Sequence, residues 1–171
     1  VHVHIGEFPS LETRHTWKDL YATMDRYRVG KVLLSSSEAK SDKYNEEIIR
    51  EAGRDERLYA LMRPSLERFA SKGFLNHLND LLGNGSILGL KINPSKQRRR
   101  ITDPIYEDAL EILDDHKAIL LVHCGRWVEM SGWHHALEVA KKYPGIRVIF
   151  AHMGGTHPSS TGFRSNISLI S

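Results

Sequence analysis

Aliphatic side chains gather in short runs about thirty residues apart: VHVHI at 1–5, KVLLS at 31–35, LYALM at 58–62, ILGLKI at 87–92, AILLVH at 118–123 and IRVIFAH at 146–152. That interval holds one strand, one helix and the start of the next strand. The pattern therefore predicts a parallel sheet rather than a meander.

The stretches between the runs read as amphipathic helices. Trp17, Leu20, Tyr21 and Met24 fall at i, i+3, i+4 and i+7, with Thr16 placed to cap and Gly30 to close. Tyr44, Ile48, Ile49 and Ala52 repeat the spacing, as do Leu66, Phe69 and Ala70 ahead of Leu78 and Leu81. Asp103 and Pro104 make a capping residue and a first-turn proline for a helix that buries Ile105, Ala109 and Ile112 or Leu113. Ser131 is expected to cap a further helix carrying Trp133, Leu137 and Ala140, closed by Pro144 and Gly145. After His152 the periodicity stops, and ISLIS at 167–171 reads as a seventh strand. Five successive units point to a barrel or an open doubly wound sheet. No glycine-rich phosphate fingerprint follows any strand, which disfavours a dinucleotide fold.

The expected architecture is α/β: one domain over 1–171, an incomplete (β/α)8 barrel with about six to seven βα units. Seven strands do not close an eight-stranded barrel, and such barrels usually run to about 250 residues. The start at Val1 without a methionine adds the expectation of a chain truncated at its front as well.

Composition narrows the class. With 171 residues, 40% hydrophobic and 26% charged, the chain has enough apolar material for a real core, and disorder is not expected. No apolar run approaches the roughly 20 residues of a membrane helix, and no charged-then-apolar leader precedes Val1, so no membrane role and a cytoplasmic location are expected. The single cysteine, Cys124, suits a reducing compartment. A formal charge of +3 is mild, and nucleic acid is not an expected partner. The one dense basic run, KQRRR at 96–100, reads as a solvated loop or as a means of steering an anionic substrate.

Histidine placement carries the chemistry. Strand side chains alternate, so His2 and His4 share one face while Val1, Val3 and Ile5 share the other. Two imidazoles on one rigid strand make half of a metal site, although HxH by itself is a weak signal. His123 and His152 each end an aliphatic run just before glycine, at the carboxyl ends where a barrel presents its reactive groups. Four histidines thus converge on one rim, which predicts a metal site. His15, His77, His116, His134 and His135 are expected at the surface, and His157 falls in a loop and is left out of the set.

Two cations join the candidates. Lys91 shares parity with Gly89 and Asn93, opposite Leu88, Leu90 and Ile92, and so faces the axis. It reads as a contact for a substrate carboxylate, as a carbamylated bridge between metals, or as a lysine whose stem is buried and whose head reaches the mouth. Arg63, before Pro64, is a second anion contact. Cys124 has the opposite parity to His123 and is expected to be a buried thiol rather than a nucleophile.

Taken in order, VHVHIG, GLKINP, LLVHCG and IFAHMGG resemble the amidohydrolase superfamily, and more narrowly its amidohydrolase-related branch, which includes aminocarboxymuconate-semialdehyde decarboxylase. The resemblance covers residues 1 to about 155. It implies a distorted TIM barrel with one divalent metal ion, zinc first and manganese as an alternative. His2, His4 and His123 would be ligands, and His152 a catalytic acid–base or oxyanion-orienting group. The expected substrate is a small molecule whose carboxylate Arg63, Lys91 or the basic loop at 96–100 would hold. Hydrolysis of an amide, ester or lactone is the first expected reaction, and non-oxidative decarboxylation the alternative. Such enzymes also take an aspartate from the eighth strand, and no residue follows Ser171, so the expected function is that of the complete domain. Two further alternatives stand. One is a TatD-type deoxyribonuclease, which would place a glutamate where this chain has Lys91; the other is a non-catalytic barrel fragment whose open sheet edges favour a homo-oligomer.

Overall fold

The computed structural model describes residues 1–8, 12–37, 42–125 and 128–154. Seven strands form one sheet: β1 (His2–Phe8), β2 (Thr13–His15), β3 (Val32–Ser36), β4 (Leu58–Met62), β5 (Gly89–Ile92), β6 (Ile119–Val122) and β7 (Arg147–Phe150), in the order β2-β1-β3-β4-β5-β6-β7. Apart from β2, every neighbouring pair is parallel and follows chain order. A doubly wound sheet would reverse direction part-way; this one does not, so it is an arc of a (β/α)8 barrel. Among the described residues β2 and β7 are the two edges, and the barrel is incomplete.

The helices are α1 (Trp17–Tyr27), α2 (Asp42–Ala52), α3 (Lys72–Gly83), α4 (Pro94–Gln97), α5 (Glu107–Asp115), α6 (Val128–Ser131) and α7 (Trp133–Lys142). Local chemistry sets their starts. Thr16 and Asp19 form a reciprocal capping box on α1, Ser71 accepts from Phe74 at the start of α3, and Asn93 accepts from Lys96 ahead of α4. One residue set from each layer makes the core: Leu34, Leu90 and Leu120 from the sheet are fully buried against Met24, Ile48, Leu78, Leu113 and Val139 from the helices. Each such side chain contributes roughly 1.5–3 kcal/mol by leaving water.

The sequence pattern and the structure part company in four places. β2 was not expected: Thr13, Arg14 and His15 carry no aliphatic side chain and are all exposed, and they pair antiparallel with β1 at the sheet edge, Gly6 to His15 and Phe8 to Thr13. The sixth aliphatic run ends as a strand at Phe150, and His152 and Met153 then take left-handed conformations (φ 56° and 55°) in a 3₁₀ turn over Ala151–Gly154. The cap of α7 is Gly132, not Ser131, which instead closes α6. The buried face of α7 is rotated accordingly: His135, Ala136 and Val139 point inward, and Leu137 is exposed. His135 is therefore not a surface residue; its Nε2 donates to the Glu129 carbonyl oxygen at 3.1 Å. The strand expected at 167–171 and the loop carrying His157 lie outside the described residues. Among the described residues no helix is long and apolar enough to cross a membrane.

Candidate functional site

The alternation of β1 brings His2 and His4 side by side, with ring centroids 4.5 Å apart and planes at 76°. Their partner comes from β3, whose aliphatic run ends in three serines. Ser35 Oγ, fully buried, lies 2.9 Å from His4 Nδ1 and 3.2 Å from His2 Nε2. His4 Nδ1 also lies 3.2 Å from the Ser36 carbonyl oxygen. A carbonyl only accepts, so His4 Nδ1 carries the proton and its Nε2 lone pair is left open, while the Ser35 hydroxyl is free to donate to His2. Sequence reasoning missed Ser35; its signal was a run of hydroxyls at a strand end where aliphatics had been the rule.

The second histidine pair is built from the next two strand ends. His123 follows β6, where its N–H donates to the Ile92 carbonyl oxygen at 2.9 Å, and its Nδ1 lies 3.2 Å from His152 Nε2. The two rings are 4.8 Å apart at 76°. The left-handed turn after β7 swings His152 back toward β6 although the strand has already ended.

The charges of Lys91 and Arg63 act on both pairs, at His2, His4 and His123. Lys91 is only 2% exposed, on the face of β5 opposite Leu90 and Ile92, and among the described residues its ammonium has no hydrogen bond or ion pair. Burial first, and the Arg63 charge second, push it down to about 8, with Cys124 opposing. Arg63 is 4% exposed and donates from Nη1 to the carbonyl oxygens of Ser36 and Ser37, which ties the end of β4 to the end of β3. Cys124 is buried, as its parity predicts, and burial pushes its thiol up to about 11. A thiol held that high is not a nucleophile at neutral pH.

The imidazoles are held neutral. Burial, with the charges of His4, Lys91, His152 and Arg63, takes His2 down to about 3. Burial with Arg63 and Lys91 takes His4 to about 4 against its backbone hydrogen bonds, and burial with Lys91, His152, Arg63 and Lys96 takes His123 to about 4. Neutral nitrogen donors suit a divalent ion in kind. Their placement is another matter: among the described residues no group of three or more His, Cys, Asp or Glu side chains is arranged to hold a metal ion. The histidines stand as two pairs, one held by Ser35 and the other by mutual contact.

A pH dependence follows. The unfolded chain protonates these rings as pH falls below about 6.5, whereas the folded protein resists until about pH 3 to 4. The unfolded state therefore binds more protons in that window, and stability, complete above pH 6.5, falls as pH drops through it. Each ring contributes up to about 1.4 kcal/mol per pH unit, less where water screens it. Urea midpoints at pH 7, 6, 5 and 4.5 should decrease steadily, and a variant with glutamine at 2, 4 and 123 should lose most of that slope. A midpoint constant across the window would show that these rings are not buried.

The sequence pattern of the Amidohydrolase family matches residues 42–170, well over half of the chain. No curated protein matches it. Among solved structures it is similar to a 5-carboxyvanillate decarboxylase from Novosphingobium aromaticivorans, complexed with manganese and 4-hydroxy-3-methoxy-5-nitrobenzoic acid, at 14% identity and a TM-score of 0.64 over 79% of this chain and 49% of that one. It is also similar to a 2,6-dihydroxybenzoate decarboxylase from Rhizobium (13%, 0.62, 82% of this chain and 57% of that one). A third is a probable 2-pyrone-4,6-dicarboxylic acid hydrolase from Acinetobacter baumannii with citric acid bound (13%, 0.59, 84% and 50%). The chain spans about half the length of these structures. At such identities the likeness shows the fold, a partial α/β barrel of the same winding.

Proposed function

The chain belongs to the amidohydrolase family, and from that premise we propose that it supplies the binding half of a metal-dependent enzyme acting on a small carboxylate-bearing substrate. The observation that supports this reading is Lys91: a lysine only 2% exposed, with no counter-ion among the described residues, whose charge acts on His2, His4 and His123. Burying an uncompensated cation is costly, and a site that keeps one is arranged for an anion to complete it. No carboxylate is among the main charges acting on Lys91, His2, His4 or His123.

In this reading Lys91 holds the substrate carboxylate, and Arg63, anchored to the end of β3, adds its positive field. His2, His4 and His123 are the neutral nitrogen donors that would hold a divalent ion, zinc or manganese, although they stand here in two separate pairs rather than about one point; such an ion would supply an activated water and polarise an acyl oxygen. His152, exposed beside His123, would in this reading move a proton at its ring nitrogen or orient the developing oxyanion; its contact with His123 supports the assignment. Hydrolysis of an amide, ester or lactone bond is the leading reaction. Non-oxidative decarboxylation is the second reading, favoured by the decarboxylases among the similar structures. Both need one anion contact and one proton-handling group, the parts given in this reading to Lys91 and His152.

Metal uptake tests the ligand set apart from turnover. Equilibrium dialysis against zinc or manganese, followed by elemental analysis, should give one ion per chain, and His123→Ala should retain less than about a tenth of it, since losing one of three protein ligands removes most of the affinity. Stoichiometric metal in His123→Ala would remove the assignment. Product analysis then separates the reactions: carbon dioxide release marks decarboxylation, and a new acid or alcohol without it marks hydrolysis.

A further inference from the structure

In the pairing of β1 with β3, His4 is opposite Ser35 and His2 is opposite Leu33, whose side chain has no polar atom. Residues 33 and 35 share one face of β3, so a single hydroxyl serves both rings. Ser35 is wholly buried, and its Oγ lies 2.9 Å from His4 Nδ1 and 3.2 Å from His2 Nε2, on rings whose centroids are 4.5 Å apart.

One acceptor fixes the direction of these bonds. His4 Nδ1 also lies 3.2 Å from the Ser36 carbonyl oxygen, so it carries the proton and donates to both oxygens. The Ser35 hydroxyl accepts there and has its own proton left for His2 Nε2; a neutral imidazole that accepts at Nε2 carries its proton at Nδ1. The two rings are thereby made unequal. His4 keeps an Nε2 lone pair with no hydrogen bond among the described residues, while the Nε2 lone pair of His2 is occupied by Ser35. Two histidines on one strand thus present one open nitrogen, which accords with the absence, among the described residues, of any group of three side chains arranged to hold a metal ion.

We propose that Ser35 is a positioning residue that competes with a metal ion for His2, its hydroxyl holding the ring nitrogen that the ion would need. The inference rests on the reading of His2 and His4 as ligands and adds the group that controls one of them. His2 becomes available at Nε2 only as the hydroxyl gives up its bond, and a hydroxyl proton can turn away without movement of the backbone. His4 does not depend on Ser35 in this way, because the Ser36 carbonyl oxygen orients its ring independently. Removing the hydroxyl therefore takes away a bond that uptake must break and leaves the second ring oriented. One neutral hydrogen bond of about 1 kcal/mol corresponds to about a factor of five in affinity.

Two readouts on the full chain test this: proton–nitrogen correlation spectra of isotope-labelled histidine rings, with His2→Gln and His4→Gln to identify the signals, and zinc binding by calorimetry at neutral pH. In wild type His2 Nε2 and His4 Nε2 should read as unprotonated nitrogens, only the first of them hydrogen-bonded. Ser35→Ala should shift the His2 Nε2 signal and leave His4 protonated at Nδ1, which also shows that the variant is folded. The same variant should bind zinc about fivefold more tightly than wild type. Ser35→Thr, which keeps the hydroxyl, should match wild type in both readouts. The proposal is overturned by an unmoved His2 signal in Ser35→Ala, by an equal change at His4, or by a zinc affinity that is unchanged or weaker. If neither wild type nor Ser35→Ala takes up zinc although the His2 signal shifts, the ligand reading of His2 fails, and the competition falls with it.

Discussion

Gly89→Ala is expected to leave little or no folded protein. Gly89 begins β5 at φ +153°, a backbone conformation that L side chains rarely adopt, and a Cβ built there would lie 1.8 Å from the Ile119 carbonyl oxygen and 2.7 Å from the carbonyl carbon. These are backbone atoms of the residue with which Gly89 is in register on β6, so no side chain can turn away to make room. Relief requires β5 and β6 to part in the middle of the sheet, where Leu90 and Leu120 are wholly buried. Backbone strain together with lost packing costs about 4 kcal/mol or more, comparable to the entire stability of a small domain. Circular dichroism and urea denaturation of the soluble fraction check this; a variant with a wild-type midpoint would mean that the two strands are spaced more widely than described.

Lys91→Met is expected to do two opposite things: stabilise the fold and end carboxylate binding. Methionine has nearly the same shape and carries no charge into a site that is 2% exposed, so the burial penalty disappears while packing against the sheet is kept. A gain of about 2 kcal/mol at pH 7 is the right scale for removing a buried charge that lacks a partner. The pH dependence identifies the cause. Unfolded Lys91 holds its proton up to about pH 10.5, whereas the folded group releases it near 8. Between those values the unfolded state binds more protons, so wild-type stability rises with pH through the window and is flat below it. Lys91→Met should lack that rise. Benzoate binding, read by calorimetry on the same samples, should vanish. A variant that is less stable than wild type and still binds the acid would make Lys91 a structural residue and leave the substrate reading without its main support.

These two positions show how unevenly the site could be read from sequence. The inward parity of Lys91 and its likeness to Gly89 and Asn93 in facing were visible in GLKIN, because strand alternation needs no tertiary knowledge. That its ammonium would meet no acid among the described residues was not visible, since that depends on what the six other strands bring. His2 and His4 were paired by the same alternation, yet the residue that holds both, Ser35, comes from the neighbouring strand, where the register sets His4 opposite it. His135 shows the reverse failure. Its helix was recognised, but the inward stripe passes through 135, 136 and 139 rather than through Leu137, because α7 is seated by its contact with the sheet and not by its own hydrophobic pattern.

What the amino-acid order determined alone was periodic and local: six parallel strands about thirty residues apart, the capping of α1 by Thr16, and the placing of histidines at strand ends. Each follows from interactions within a few residues or from the two-residue repeat of a strand. Only the tertiary structure decided the rest. It added an edge strand at Thr13–His15 with no apolar signal, turned His152 back on His123 through a left-handed bend, and separated Lys96 from Arg99 and Arg100 by giving the arginines partners. Backbone pairing at an edge, the path of a turn and the neutralisation of a charge all depend on groups distant in the chain. No local spacing encodes which of those groups will be near.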